Sequence, residues 1–334
     1  MPCSLVTGEV FFLHDLPGHP ENSDRLRIAL SGVPRRGIRR LEPAEASREA
    51  LERVHRRDYL AWLGGLAPGE CFIDFNTYVC GDSYRVALHA AGSAISAAGE
   101  ALGGRACFAL VRPPGHHAEA GKARGYCLLN NAAIAAADAL GSVDRVAIVD
   151  WDLHHGNGTQ DIFYASDRVL FCSIHHAHGF PGSGGVGETG AGPGRGYTLN
   201  APLEPGCTIA DYALVFDEIF CPALERFRPG LLIISAGQDA LMDDPKAVMR
   251  LAPEDYGALT RRVMEATDLP PALVLEGGYG PSHGRAIRSI FRALGGADPE
   301  TGSGPVPAPG RSTRKLVRIL KKVHSLQGAT LRAL

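Results

Sequence analysis

The stretch "VAIVDWDLHHGNGTQ", residues 146–160, reads in two halves. Its first four residues are apolar with no alternation, the pattern of a strand buried on both faces of a parallel sheet. The second half turns polar within one residue. Where a strand runs out, residues two apart face the same way, so Asp150, Asp152 and His154 project to one side. Carboxylate and imidazole at that spacing can share one divalent ion if a third ligand comes from another loop. Taken in isolation, the run is better explained by carboxylates capping a following helix. The rest of the chain decides.

Four more runs have the same character: "CFALV" (107–111), "VLFCSI" (169–174), "LLIIS" (231–235) and "ALVL" (272–275). Each gives way at once to polar or glycine-rich residues, in turn "RPPGHH", "HHAHGFPGSGG", "AGQDALMDDP" and "EGGYG". Between the runs lie helical stretches at 83–102, 129–140, 209–227 and 252–266. Alternation of this kind predicts an α/β fold, a single domain with a central, mostly parallel sheet flanked by helices. Ligands of open parallel sheets bind beyond the carboxyl ends of the strands. Five loaded ends therefore predict one shared site, and they reverse the capping interpretation.

Within that site Asp239, just past "LLIIS", is the natural third metal ligand. Two carboxylates and a neutral histidine would neutralise Zn²⁺ and leave room for water and a carbonyl group. His116 and His117 in "PPGHH" fit a proton acceptor and a proton donor beside that ion. Tyr279, on the Gly-Gly turn, could reach a developing oxyanion. Seven of the 13 histidines fall between His116 and His178, so proton-transfer groups are concentrated here.

The first hundred residues are harder to read. "PENSDRLRIALSGV" and "SREALERVHRRDYLAWL" carry helical periodicity and are expected to cover the sheet edge. No composition break marks a boundary, so residues 1–334 read as one domain, with a Gly/Pro-rich loop at 296–312 and a C-terminal helix at 313–326. Leu316, Ile319, Leu320 and Val323 form the stripe expected to dock that helix on the body.

Composition narrows the partners. Lys plus Arg is 34 and Asp plus Glu 36, which offers no electrostatic pull toward nucleic acid or an anionic membrane. No run approaches the ~18 apolar residues of a membrane span, and the first residues lack the basic start of an export signal. Eight cysteines without a C-x-x-C pair read as free thiols in a reducing cytoplasm. "GSGGVG" (182–187) matches a dinucleotide fingerprint but precedes no helix, so that reading is rejected. Cys127 reads as a pocket wall rather than a nucleophile. No feature of the sequence specifies an oligomeric state.

Taken together, "RPPGHHAE", "GYCLLNNAAIAA", "VDWDLHHGNGTQDIFY", "SAGQDALMDDP" and "LEGGY" resemble the zinc-dependent histone deacetylase and acetylpolyamine amidohydrolase superfamily, of arginase-like fold. The likeness runs from "HDLPGHPENSDRL" at 14–26 to about residue 290, and "DWDLHHGNG" with "LEGGY" looks more like the class II and bacterial members than like class I. It implies one zinc held by Asp152, His154 and Asp239. His116 would pair with Asp150 and His117 with Asn157, and Tyr279 would polarise the scissile carbonyl. Tyr126 and Phe180 would line a tunnel for an acyl-lysine-like chain. A structural potassium ion would use Asp150 and Ser173, with backbone carbonyls of Asp152 and His154. The implied activity is removal of short acyl groups from an acyl-lysine or a small N-acylated amine. The alternatives are an acetylpolyamine or dedicated-metabolite deacetylase, and an inactive acyl-lysine-binding module. Lys246 after Asp244–Pro245 argues against a polycation, whereas Glu119, Glu188 and Asp243 could supply negative charge at the mouth.

Overall fold

The computed structural model describes residues 3–66, 69, 71–297 and 307–326. In chain order the strands are β1 (Cys3–Val6), β2 (Ile38–Leu41), β3 (Cys71–Phe72), β4 (Tyr78–Val79), β5 (Ala106–Ala109), β6 (Val146–Asp150), β7 (Val169–His176), β8 (Thr198–Leu203), β9 (Leu231–Ala236) and β10 (Ala272–Leu275). The helices are α1 (Ser23–Leu30), α2 (Arg48–Glu52), α3 (Arg57–Gly64), α4 (Ser83–Leu102), α5 (Asn131–Ala139), α6 (Asn157–Phe163), α7 (Ile209–Val215), α8 (Cys221–Phe227), α9 (Pro253–Thr267), α10 (His283–Leu294) and α11 (Arg311–Leu326).

Among the described residues, eight strands form one sheet in the order β2-β1-β5-β10-β9-β6-β7-β8. Every pairing in it is parallel. β3 and β4 make a separate antiparallel hairpin. The chain is thus a single α/β domain with helices flanking the sheet. The five runs singled out in the sequence are the five central strands, β5-β10-β9-β6-β7, and apart from the last residue of β7 all their residues are buried. Each Leu, Ile or Phe so enclosed stabilises the fold by about 1.5–3 kcal/mol.

The outer strands differ from expectation. The N-terminal segment does not merely cover the sheet edge with helices; β1 and β2 extend the sheet by two strands. The segment expected to be helical at 47–63 is interrupted after α2 and resumes as α3. At 209–227 the helix contains a π turn over Phe216–Phe220. Pro222 follows two residues after its end and cannot donate the N–H that a regular α-turn needs.

At the C-terminus α11 buries Leu316, Val317 and Leu320, while Ile319 is 37% exposed. Val317 therefore takes the place given to Ile319, because the docking stripe is rotated by part of a turn. Of the loop expected at 296–312, residues 298–306 lie outside the described residues. No helix among the described residues is long and apolar enough to cross a membrane.

Candidate active site

The carboxyl ends of the central strands deliver their loops to one pocket of about 190 Å³. From β6, Asp152 and His154 enter it; from β9, Asp239; from β10, Gly277 and Tyr279; from β5, His116 and His117. Tyr126 and Phe180 form walls, and Phe75, Asn76, Pro114, Gly125 and Lys246 complete the lining. Phe75 is 82% exposed, which places it at the rim.

Ligand atoms of Asp152, His154 and Asp239 all lie within 4.8 Å of one another. Nδ1 of His154 is 2.9 Å from Oδ2 of Asp239 and 3.2 Å from Oδ1 of Asp152. Both carboxylates are held from behind by backbone: Leu153 N–H donates to Oδ1 of Asp239 (2.9 Å), and Gly277 N–H donates to Oδ2 of Asp152 (2.8 Å). Oδ2 of Asp239 is buried and, apart from its 2.9 Å contact with the His154 ring, has no hydrogen-bond partner. A carboxylate oxygen buried with so little hydrogen bonding carries a desolvation penalty that a cation removes. Burial pulls the His154 imidazole down, but the two carboxylates override it and push it up to about 10. Two carboxylates and an imidazole converging at these distances form a donor set that suits one divalent ion.

The two histidines of "PPGHH" are buried side by side, with ring centroids 4.0 Å apart. Nδ1 of His116 lies 2.9 Å from Oδ2 of Asp150, and Nδ1 of His117 lies 2.8 Å from Oδ1 of Asn157. Burial acts on both, with opposite outcomes. The Asp152 and Asp150 carboxylates hold His116 well above the ordinary histidine range despite it. Burial, reinforced by the charges of His116 and His154, pulls His117 well below that range. Asp150 and Asn157 do not line the pocket; they back the histidines. Ser173 sits opposite Asp150 in the β6–β7 register, fully buried, with its hydroxyl 2.9 Å from Nδ1 of His175.

Tyr126 has φ of 71°, a left-handed conformation that costs a non-glycine residue about 1–2 kcal/mol. Its N–H donates to Oγ1 of Thr77 at 3.0 Å, and its ring meets that of Tyr279 edge-on at 5.9 Å. Phe180 stands edge-on to His117 at 4.9 Å. Cys127 is buried beside this wall and donates its thiol to the Gly125 carbonyl, so it is not itself part of the pocket lining. Glu119 and Glu188 do not charge the mouth either. They border a separate cleft of about 400 Å³ that Asn157 also lines.

Several supporting groups are ones that sequence reasoning missed. Glu276, at the end of β10, accepts from the N–H groups of Gly115 (2.7 Å) and His116 (3.1 Å) and so fastens the histidine loop. Burial pushes its carboxyl up to about 7. Asp244 accepts from the N–H groups of Tyr279 (2.6 Å) and Gly280 (3.0 Å). Arg25 donates to the carbonyls of Gly278 and Glu276 and lies 4.8 Å over the Tyr279 ring. Only the acidic residue at the head of "EGGYG" was visible as a signal; the others act on backbone groups that no motif records.

A family model described as "histone deacetylase domain" matches residues 19–294. The chain is 41% identical over 294 residues to a probable deacetylase of Archaeoglobus fulgidus, covering 82% of each sequence. It is 40% identical over 276 residues to a histone deacetylase-like amidohydrolase of Pseudomonas aeruginosa, covering 79% of this chain and 72% of the relative. Among solved structures, the crystal structure of the HDA15 HD domain matches with a TM-score of 0.91 at 30% identity, over 99% of this chain and 96% of that one.

Proposed function

The chain belongs to the histone deacetylase family, and on that premise we propose that it is a zinc-dependent amidohydrolase removing acetyl or another short acyl group from an acyl-lysine side chain or a small N-acylated amine. One observation carries the reading: two carboxylates and an imidazole converge in a pocket that two histidines, Tyr126, Phe180 and Tyr279 also line.

Asp152, His154 and Asp239 would hold the ion. Bound there, zinc would polarise the amide carbonyl and bring the pKa of water to about 7. The chain's own groups do the rest. Nε2 of His117, whose Nδ1 is engaged by Asn157, takes the proton of the attacking water and delivers it to the amine nitrogen as the C–N bond breaks. The products are a short carboxylic acid and a free amine. His116, held above the ordinary histidine range by the Asp152 and Asp150 carboxylates, would offset negative charge building at the carbonyl. The Tyr279 hydroxyl donates to the carbonyl oxygen, a contribution of about 3–4 kcal/mol when well placed. Beneath the site, Asp150 and Ser173 are where the structural potassium ion would be held.

Lys246 in the pocket lining disfavours a polycationic acetylpolyamine and favours an acyl-lysine or a less basic amine. The eight cysteines are all free, five of them buried, which supports a reducing, cytoplasmic setting. The charge balance supports no nucleic-acid or membrane partner.

Tyr279→Phe tests the scheme. Metal content should stay at one ion per chain while turnover of an acetyl-lysine peptide falls roughly 10²–10³-fold, as for loss of one oxyanion donor. Full activity in that variant would overturn it. Turnover of acetyl-lysine peptide against N-acetylated putrescine and spermidine ranks the substrates.

A further inference from the structure

Asp150 and Asn157 hold adjacent histidines with chemically different groups. A carboxylate only accepts, so Asp150 obliges Nδ1 of His116 to donate whichever way it turns. Asn157 carries an acceptor and a donor on one planar amide. A half-turn would set its NH₂ against Nδ1 of His117 and leave the imidazole hydrogen on the wrong nitrogen. Asn157 alone does not prevent this. Glu119 does, because its Oε1 accepts from Nδ2 of Asn157 at 3.1 Å.

We propose that Glu119 is a positioning residue for the reaction: it locks the Asn157 amide with Oδ1 toward His117, so that Nδ1 carries the hydrogen and Nε2 is free to take a proton. The inference rests on the reading of His117 as the proton acceptor. Glu119 is itself well seated. Its carbonyl lies 3.1 Å from Nδ1 of His55, and its backbone pairs with that of Lys122. Arg124 approaches Oε1 of Glu119 at 3.5 Å while its guanidinium lies 4.9 Å over the ring of Phe180. One ion pair thereby ties the orientation of His117's partner to the tunnel wall that His117 packs against. The Glu119 side chain is 29% exposed and faces the second cleft, so replacing it opens no void in the core.

The test compares Glu119→Leu in the parent and in an Asn157→Asp background, with imidazole ¹⁵N spectra of His117 in the metal-loaded protein. In the parent, Glu119→Leu should lower kcat roughly 10–100-fold, less than the 10²–10⁴ of general acid–base catalysis as a whole because His117 itself remains, with KM and metal content unchanged. The spectra should show an Nε2–H tautomer of His117 that the parent lacks. Glu119→Gln, whose Oε1 can still accept, should recover most of the loss. In the Asn157→Asp background no orientation presents a donor, so Glu119→Leu should add no further loss. An unchanged tautomer in Glu119→Leu, or an equal loss in both backgrounds, overturns the proposal. Should the parent hydrolyse no amide, the proposed reaction falls, while the tautomer spectra still decide what Glu119 does.

Discussion

A Cβ at position 237 would lie 2.0 Å from Oδ2 of Asp152, and one at 277 would lie 2.6 Å from Oδ2 of Asp239 and 2.7 Å from Oδ2 of Asp152. The two glycines form the back of the cradle in which the carboxylates meet, and any side chain there must displace a ligand. Gly237→Ala should therefore lower metal occupancy well below one per chain, measured by elemental analysis after dialysis, with the far-ultraviolet circular dichroism of the parent. Full occupancy would show that the carboxylate can move aside. At this scale the sequence was informative where chemistry follows strand period. Asp150, Asp152 and His154 were legible because a strand end sends alternate residues one way. Asp244, Arg25 and Glu119 were not, since what they hold is a backbone turn or another side chain's orientation, supplied from 35 to 253 residues away.

Among the elements, the approach to α3 shows how a buried histidine can set an acid limit. Nε2 of His55 accepts from Asn130 N–H at 2.9 Å, which leaves Nδ1 to donate to the Glu119 carbonyl. A second proton would break the first bond. Burial pulls this imidazole down to about 4. Between pH 4 and 6.5 the unfolded chain binds a proton that the folded chain refuses, so stability falls as pH drops through that window and is unaffected above it. The effect is on the order of 3–4 kcal/mol for a shift of this size. His55→Gln should narrow the difference between urea midpoints at pH 7 and pH 4.5; an undiminished difference would exclude His55 as its source. Element recognition followed the same physics of burial. Central strands are enclosed on both faces and read as unbroken apolar runs. Strand β2, "IRRL", exposes both arginines, and β8 carries the polar residues of "TLNAPL", so neither edge strand announced itself.

Across the molecule, a buried ion cluster joins the N-terminal segment to the sheet and to the catalytic turn. Arg112, three residues past β5, makes two 2.7 Å bonds to the Glu21 carboxylate, and both side chains are fully buried. Arg25 reaches the same carboxylate at 3.1 Å before bonding the Gly278 carbonyl. Against the upward push of burial, Arg112, with His14 and Arg25, holds the Glu21 carboxyl well below the usual carboxylate range. Removing one partner strands a buried charge, so Arg112→Leu should destabilise the protein by roughly 3–5 kcal/mol in urea titrations. A variant with the parent's midpoint would mean that the cluster contributes nothing net.

The sequence by itself determined the α/β class, the five central strands and the residues whose chemistry could meet at their ends. Those properties follow from local periodicity and from side-chain type, both of which are written along the chain. Only the tertiary structure decided that Asp239 comes within reach of His154, that the N-terminal residues add strands to the sheet, and how far burial and neighbouring charges shift each histidine. Proximity between residues distant in sequence, and the exclusion of water that fixes a proton's place, exist only once the chain has closed around them.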